Sequence, residues 1–411
     1  MPDSPITNFK DSNDVDLGKK LVTKDYLLEV YGTILENSPA SGLIVTPELW
    51  VWGLNNRGVL GINNPAGDVA TPVTTFAGGN NWKQVSAGLS HIAAIKTDGS
   101  LWNWGRGTES QLGNFAATDR STPVTTFAGG NDWKQVACGA YTTLAIKTDG
   151  SLWGWGRGDN GELGINNNAT NRSTPVTTFA RGNTWKQVSC GGEHVAAIKT
   201  DGSLWTWGRN SYGALGTNSS GFSDRRSTPV TTFVGGNDWK QVDCGNDYTA
   251  AVKSDGSLWT WGRNTEGQLG INNTTHKNIP VTTFAGGNNW KSVACGDVHT
   301  IAIKTDGSLW IWGGNGQGQL GTDNFTSRST PVTTFAGGNN WKQVSGGLIN
   351  TVAIKTDGSL WGWGNGDSGL IGNNSGGSRL TPVTTFAGGN DWKQVAMFDR
   401  STAAIKTIDY I

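Results

Sequence analysis

Long apolar runs are missing from this chain of 411 residues. No stretch approaches the roughly 20 apolar residues that a membrane-spanning helix requires, so membrane insertion is not expected. Histidine, cysteine and methionine are scarce, at four, four and two residues. Neither sign of charge is in excess: 32 basic residues face 32 acidic ones. That balance leaves no electrostatic footprint for nucleic acid or an anionic membrane. The opening "MPDSPITNFKDSNDVDLGKK" has no apolar centre, so no secretion signal is expected. Asn-x-Ser/Thr triplets such as Asn168 to Thr170 and Asn218 to Ser220 accordingly read as turns rather than glycan sites. What the chain does have is 61 glycines and 21 tryptophans. Disordered chains are poor in large aromatics, so this composition belongs to a packed body.

Self-alignment explains the tryptophans. The pattern TPVTTFxGGNxWKQVxCGxxxxxAIKTDGSLWxWGRxxxGxLG recurs, with Leu-Trp-x-Trp-Gly starting at Leu49, Leu101, Leu152, Leu204, Leu258, Leu309 and Leu360. Steps of 51 to 54 residues fall in the range of propeller blades. Each copy carries three tryptophan slots, and seven copies account for all 21. Four strands per copy can be read: "WKQVSCG" from Trp185, "HVAAIKT" from His194, "SLWTWGR" from Ser203 and, after a longer loop, "TPVTTF" from Thr228. Asp201-Gly202 between the second and third is a strong hairpin signal. The proline of the fourth marks an edge strand, because it cannot donate to a ladder. No helical period separates the copies, which excludes βαβ units. The expected fold is all-β, a seven-bladed propeller with four strands per blade.

The copies do not begin and end in step. The last one stops after "AIKT" at Thr407, while an unattached "ELWVWG" stands at Glu48 to Gly53. Residues 392–411 and 48–76 therefore complete one blade together, which removes both raw sheet edges. The propeller is expected over residues 48–411, with residues 1–47 as a separate arm. After "WKxVx" come Ala87, Cys138, Cys190, Cys244, Cys295, Gly346 and Met397, mostly small residues suited to the innermost strand. The cysteines thus share a packing slot and are read as reduced thiols. Repetition in register makes the tryptophans inter-blade packing, and Trp205→Ala is expected to cost about 3–5 kcal/mol.

"WKQVSCGGEHVAAIKTDGSLWTWGRNSYGALG" resembles the repeat of the regulator of chromosome condensation family in its Cys-Gly, His, Asp-Gly, Trp-Gly and Gly-x-Leu-Gly landmarks. The resemblance covers about residues 48–407 and implies a seven-bladed propeller. Founding members exchange guanine nucleotide on a small Ras-like GTPase and dock on chromatin; others are interaction scaffolds or light sensors. This chain departs from the exchange factors, since no copy is long enough for a protruding wedge and no basic tail is present. It departs from the light sensors in having no tryptophan beyond the three packing slots. No catalytic residue carries over.

The residues themselves offer no active site, cofactor site or metal site. His91, His194 and His299 share a slot that holds Thr142, Tyr248, Asn350 and Ser401 in other copies, which fits hydrogen-bonded packing rather than ligation. The aspartates of "TDG" are turn formers. Variation concentrates between "WG" and "TPVTTF", so these loops are the expected recognition rim. Arg106, Arg157, Arg209 and Arg263 follow Trp-Gly in four consecutive copies and form an arc able to grip carboxylates or anionic glycans, or to stack on an adjacent tryptophan. Tyr212, Phe222, Arg225, His276 and Phe325 break the pattern within the loops and join the candidate rim.

In the arm, Leu27, Val30, Tyr31, Ile34 and Leu35 have helical spacing behind a Thr23 cap and would form a docking face. The segment "TNFKDSNDVDLGKKLVTKDYLLEVY" is similar to N-terminal segments of structural proteins of marine bacteriophages, tail and fibre components above all. That similarity implies a non-enzymatic virion protein. Its arm would attach to other virion proteins, and its propeller would meet a host-surface protein or glycan. The competing expectations are a guanine-nucleotide exchange factor and a cytoplasmic bacterial scaffold.

Overall fold

The computed structural model describes residues 44–410 except 77–79, 168–169 and 180–181. The predicted docking face at Leu27 to Leu35 lies outside the described residues. A compact body spans Thr46–Ile408. It consists of seven four-stranded antiparallel sheets, as expected. Blade 1 comprises β3 (Trp82–Ala87), β4 (His91–Lys96), β5 (Leu101–Gly105) and β6 (Arg120–Thr125). Blades 2 to 6 repeat this plan in chain order. Blade 3, for instance, is β11 (Trp185–Cys190), β12 (His194–Lys199), β13 (Leu204–Arg209) and β14 (Arg225–Thr231).

Blade 7 is the shared one. Its strand order is β2 (Val69–Thr74), β1 (Ile44–Gly53), β28 (Ser401–Tyr410) and β27 (Trp392–Phe398). Among the described residues, the first strand is therefore hydrogen-bonded to the last. The Leu54 amide donates to the Arg400 carbonyl at 2.9 Å, which ties the exit of β1 to the entry of β28.

Strand one of each blade meets strand one of the next all the way round. The glutamine of "WKQV" holds these junctions, a role that repetition alone did not reveal. Gln84 Nε2 donates to the Val136 carbonyl and its Oε1 accepts from the Val136 amide, both at 3.0 Å. Gln135, Gln187, Gln241 and Gln343 clamp Val188, Val242, Val293 and Val395 in the same way. Gln394 clamps Val85 at 3.2 Å across the closure. Blade 5 has Ser292 in this slot, too short to reach Val344. Val344 is 9% exposed, whereas the six clamped valines reach 2% at most. Replacing Ser292 by glutamine should add the seventh clamp and raise stability by about 1 kcal/mol in chemical denaturation; no gain would mean the clamps are incidental.

Tryptophans join the blades further out. Trp207 is fully buried and donates from Nε1 to the Glu162 carbonyl of blade 2 at 2.8 Å. The other six blades repeat this latch into the preceding Gly-x-Leu-Gly loop. The last glycine of that loop must be glycine. Gly164 has φ +65°, and a Cβ there would stand 2.9 Å from Trp207 Nε1. Trp185 packs edge-on against both Trp205 and Trp207 at 6.4 and 6.0 Å. Trp205 itself is only partly buried, contrary to the expectation that all three slots are core. Its Nε1 donates to Ser203 Oγ, which in turn donates to Asp201 Oδ1 in the Asp-Gly turn. Gly202 has φ +82°, as that turn demands. Lys199 lies over the Trp185 and Trp205 rings at 4.9 and 4.4 Å, so the frame lysines cap aromatic pairs.

Candidate functional site

In each blade the residue after the Trp-Gly of strand three is pinned to the turn between strands one and two. The amides of Arg106, Arg157, Arg209 and Arg263 donate to the carbonyls of Ser90, Tyr141, Glu193 and Asp247 at 2.7 to 3.0 Å. The arginine arc, these turns and the variable loops thus share one end of the ring. At its axis the turns surround a cavity of about 380 Å³. Glu193, Asp247, Asp297 and Asp399 line it, an acidic mouth that the sequence reading missed. Those carboxylates come from two adjacent variable slots, Glu193 and Asp247 from one and Asp297 and Asp399 from the other, and only the ring brings them together. Burial pushes the Asp297 carboxyl up to about 6, and the Asp247 and Asp399 carboxyls are also raised by burial.

The arc is already partnered. Glu193 accepts from Arg157 Nη1 at 3.0 Å and from Arg209 Nη1. Arg157 also pairs with Asp159 at 2.6 Å, Arg106 with Glu109 at 3.4 Å, and Arg263 with Asp247 at 3.8 Å. Stacking occurs on tyrosines rather than on the neighbouring tryptophans. Arg106 and Arg157 flank the Tyr141 ring at 5.0 and 5.4 Å, and Arg263 lies 5.6 Å from the Tyr212 ring. These four side chains hold the rim in shape.

The loops bring most of the remaining candidates together. Tyr212 packs edge-on against Phe222 at 6.1 Å and against His276 at 5.1 Å. His276 Nδ1 accepts from the Asn264 amide at 2.9 Å. Phe222 is 77% exposed, the highest value for a large apolar side chain among the described residues. Arg225 begins β14 directly beyond this loop and is exposed. Phe325 is 57% exposed on the blade 5 loop, and no ring contact joins it to this cluster. A second exposed apolar set also escaped sequence reasoning. Phe76, Phe127, Phe179, Phe233, Phe284, Phe335 and Phe386, one at the end of each outermost strand, are 57 to 68% exposed.

The buried polar groups serve packing. His91, His194 and His299 each place Nε2 2.9 Å from a threonine Oγ1 of the next blade, and burial pushes their pKa down to about 3, 4 and 3. The four cysteines are free and buried, and burial pushes the Cys138 thiol up to about 12. Glu162 has a measurable consequence. It is 2% exposed in a slot where blades 1, 4 and 5 have Gln111, Gln268 and Gln319, and burial pushes its carboxyl up to about 7. The folded protein then holds a proton that the unfolded chain has lost, so stability falls as pH rises from about 4.5 to about 7. Glu162→Gln should remove this slope and stabilise the protein by about 1–3 kcal/mol at pH 8. Equal stability of both proteins at pH 8 would contradict it.

Fold and rim together define a repeat-built seven-bladed propeller with a rigid frame and one loop-bearing face. The RCC1-like domain profile matches residues 41–281 and 135–409, and the chain belongs to that family. It is 36% identical over 306 residues to the ultraviolet-B receptor UVR8 of Arabidopsis thaliana, covering 73% of this chain and 68% of the receptor. It is 28% identical over 296 residues to the human E3 ubiquitin-protein ligase HERC2, which covers 70% of this chain but 6% of the ligase. Among solved structures, human WBSCR16 superposes with a TM-score of 0.76 at 20% identity, over 88% of this chain and 98% of its own. Prp20p of Saccharomyces cerevisiae gives 0.76 at 19%, over 88% and 91%. At these identities the two structures establish the fold.

Proposed function

We propose that the chain is a non-enzymatic binding protein whose loop-bearing face receives a protein partner. The carrying observation is the contrast within the molecule: an almost invariant frame presents loops that differ from blade to blade, all at one end. A rigid scaffold with variable loops is the usual arrangement for recognition. The family supports the same direction, since the yeast Prp20p structure is described with binding to Gsp1p and histones. The test is affinity capture with the intact chain, repeated after residues 210–224 are replaced by the shorter blade 4 stretch 264–275. Loss of a defined partner on replacement is the expected result; capture that ignores the loops on this face overturns the reading.

Attachment to a virion is the finer form of this proposal. It rests on the similarity of residues 7–31 to phage structural proteins, and none of the relatives named above adds to it. On this form, deleting residues 1–47 prevents incorporation into particles, and normal incorporation would sink it. Guanine-nucleotide exchange is the competing reading, which rests on the resemblance to the founding members of the family; accelerated nucleotide release from a small GTPase would establish it. A cytoplasmic scaffold would instead show a cellular partner and no association with particles.

A further inference from the structure

The slot two residues before the "ST" of strand four has a structural duty. In five blades its side chain accepts a hydrogen bond from the backbone that follows Trp-Gly. Asp68 accepts from the Asn55 amide at 3.1 Å, Asp119 from Gly107 at 2.9 Å and Asn171 from Gly158 at 3.4 Å. His276 and Ser327 do the same for Asn264 at 2.9 Å and Asn315 at 3.3 Å. Blade 3 has Arg225 there. A guanidinium has no acceptor, so it cannot perform this task. The Asn210 amide is met by the Asp224 carbonyl instead, at 2.9 Å. The longer loop supplies a substitute and releases the Arg225 side chain from the frame.

The released side chain is placed at some cost. Register sets Arg225 opposite Arg209 across β13 and β14, and like charges in that position are destabilising. Arg209 is neutralised by Glu193, and Arg263 is 3.8 Å from Asp247. The neighbouring Arg226 reaches the Asp224 carboxylate only at 3.9 Å, and that carboxylate also accepts from Asn210. Arg225 itself meets no carboxylate among the described residues, only the Asp159 carbonyl at 3.2 Å. Three residues earlier in the chain, Phe222 is held out in solvent against Tyr212.

We propose that Phe222 and Arg225 form a docking patch for an acidic peptide segment that carries an apolar side chain; Arg226, next to Arg225 in β14, points to the opposite face of the sheet. The inference rests on the protein-binding reading above and names its partner's chemistry. Arg225 takes a carboxylate in charge-assisted hydrogen bonds, and the Phe222 ring takes the apolar group. Complementarity of charge selects this occupant over a neutral or basic segment.

The test uses the intact chain and fluorescent 12-residue peptides, read by anisotropy: Glu/Asp-rich with one central leucine, the Gln/Asn counterpart, and the Lys counterpart. The acidic peptide should bind at least tenfold more tightly than either, and more weakly as salt rises. Arg225→Asp replaces the like charge opposite Arg209 by an opposite one, so melting temperature should hold or rise while acidic-peptide affinity falls at least tenfold. Phe222→Ala should lose affinity for the leucine peptide and not for its alanine version. Equal binding of the three peptides, an unchanged affinity in Arg225→Asp, or a preference for RNA or heparin overturns the proposal. If a captured partner needs loop 210–224 yet ignores Arg225→Asp, this patch fails while the binding reading stands. If the partner ignores every loop of the face, both fail.

Discussion

Trp207→Ala should lower the free energy of unfolding by about 3–5 kcal/mol, more than Trp205→Ala. Three losses coincide at Trp207. A fully buried indole is removed from a core that contains Trp185, Val188, Val195 and Ala197. The Glu162 carbonyl loses its Nε1 donor, and a buried acceptor without a partner carries its own penalty of about 1–3 kcal/mol. Gly164, shaped around the ring, then faces a void. Trp205 is partly exposed, and its Nε1 donates to Ser203 within the same turn, so water can replace much of what alanine removes. Urea denaturation of the two variants checks the order. A loss below 1 kcal/mol at Trp207, or a larger one at Trp205, would show that the inter-blade latch is not what holds neighbours together.

A chain ending at Phe398 should fail to fold cooperatively, the largest effect expected anywhere in the molecule. Such a chain keeps β27 and β1 but lacks β28, the strand between them. Two sheet edges would open at once, inviting pairing with other chains. The Gln394 clamp on Val85 would then hang on a strand with no neighbour in its own sheet. Soluble yield, size-exclusion profile and the sharpness of thermal unfolding report the outcome. A monomer with a single sharp transition would show that seven blades tolerate an open ring.

Fold and closure were legible because they are written in repetition. The phase of Leu-Trp-x-Trp-Gly gives the blade number, and the missing "DGSLW" after Thr407 gives the closure. Pairing across blades was not legible. Gln84 looks like any polar residue of a strand until Val136 is placed opposite it by the ring. The acidic mouth was hidden for the same reason, since Glu193, Asp247, Asp297 and Asp399 are scattered over 207 residues of sequence. Of the rim residues, the arginine arc was visible as a pattern, yet its partners Glu193 and Tyr141 lie in a slot with no repeated identity. Arg225 stood out as an oddity in sequence; only the backbone bonds made by its counterparts explain what it has given up.

Amide hydrogen exchange of Leu49 to Gly53 in the intact chain tests the shared blade most directly. These amides should be protected as strongly as those of Leu204 to Gly208, which occupy the same third-strand position inside blade 3. Exchange at the rate of a free strand, with 204–208 still protected, would mean that the chain ends do not build a blade together.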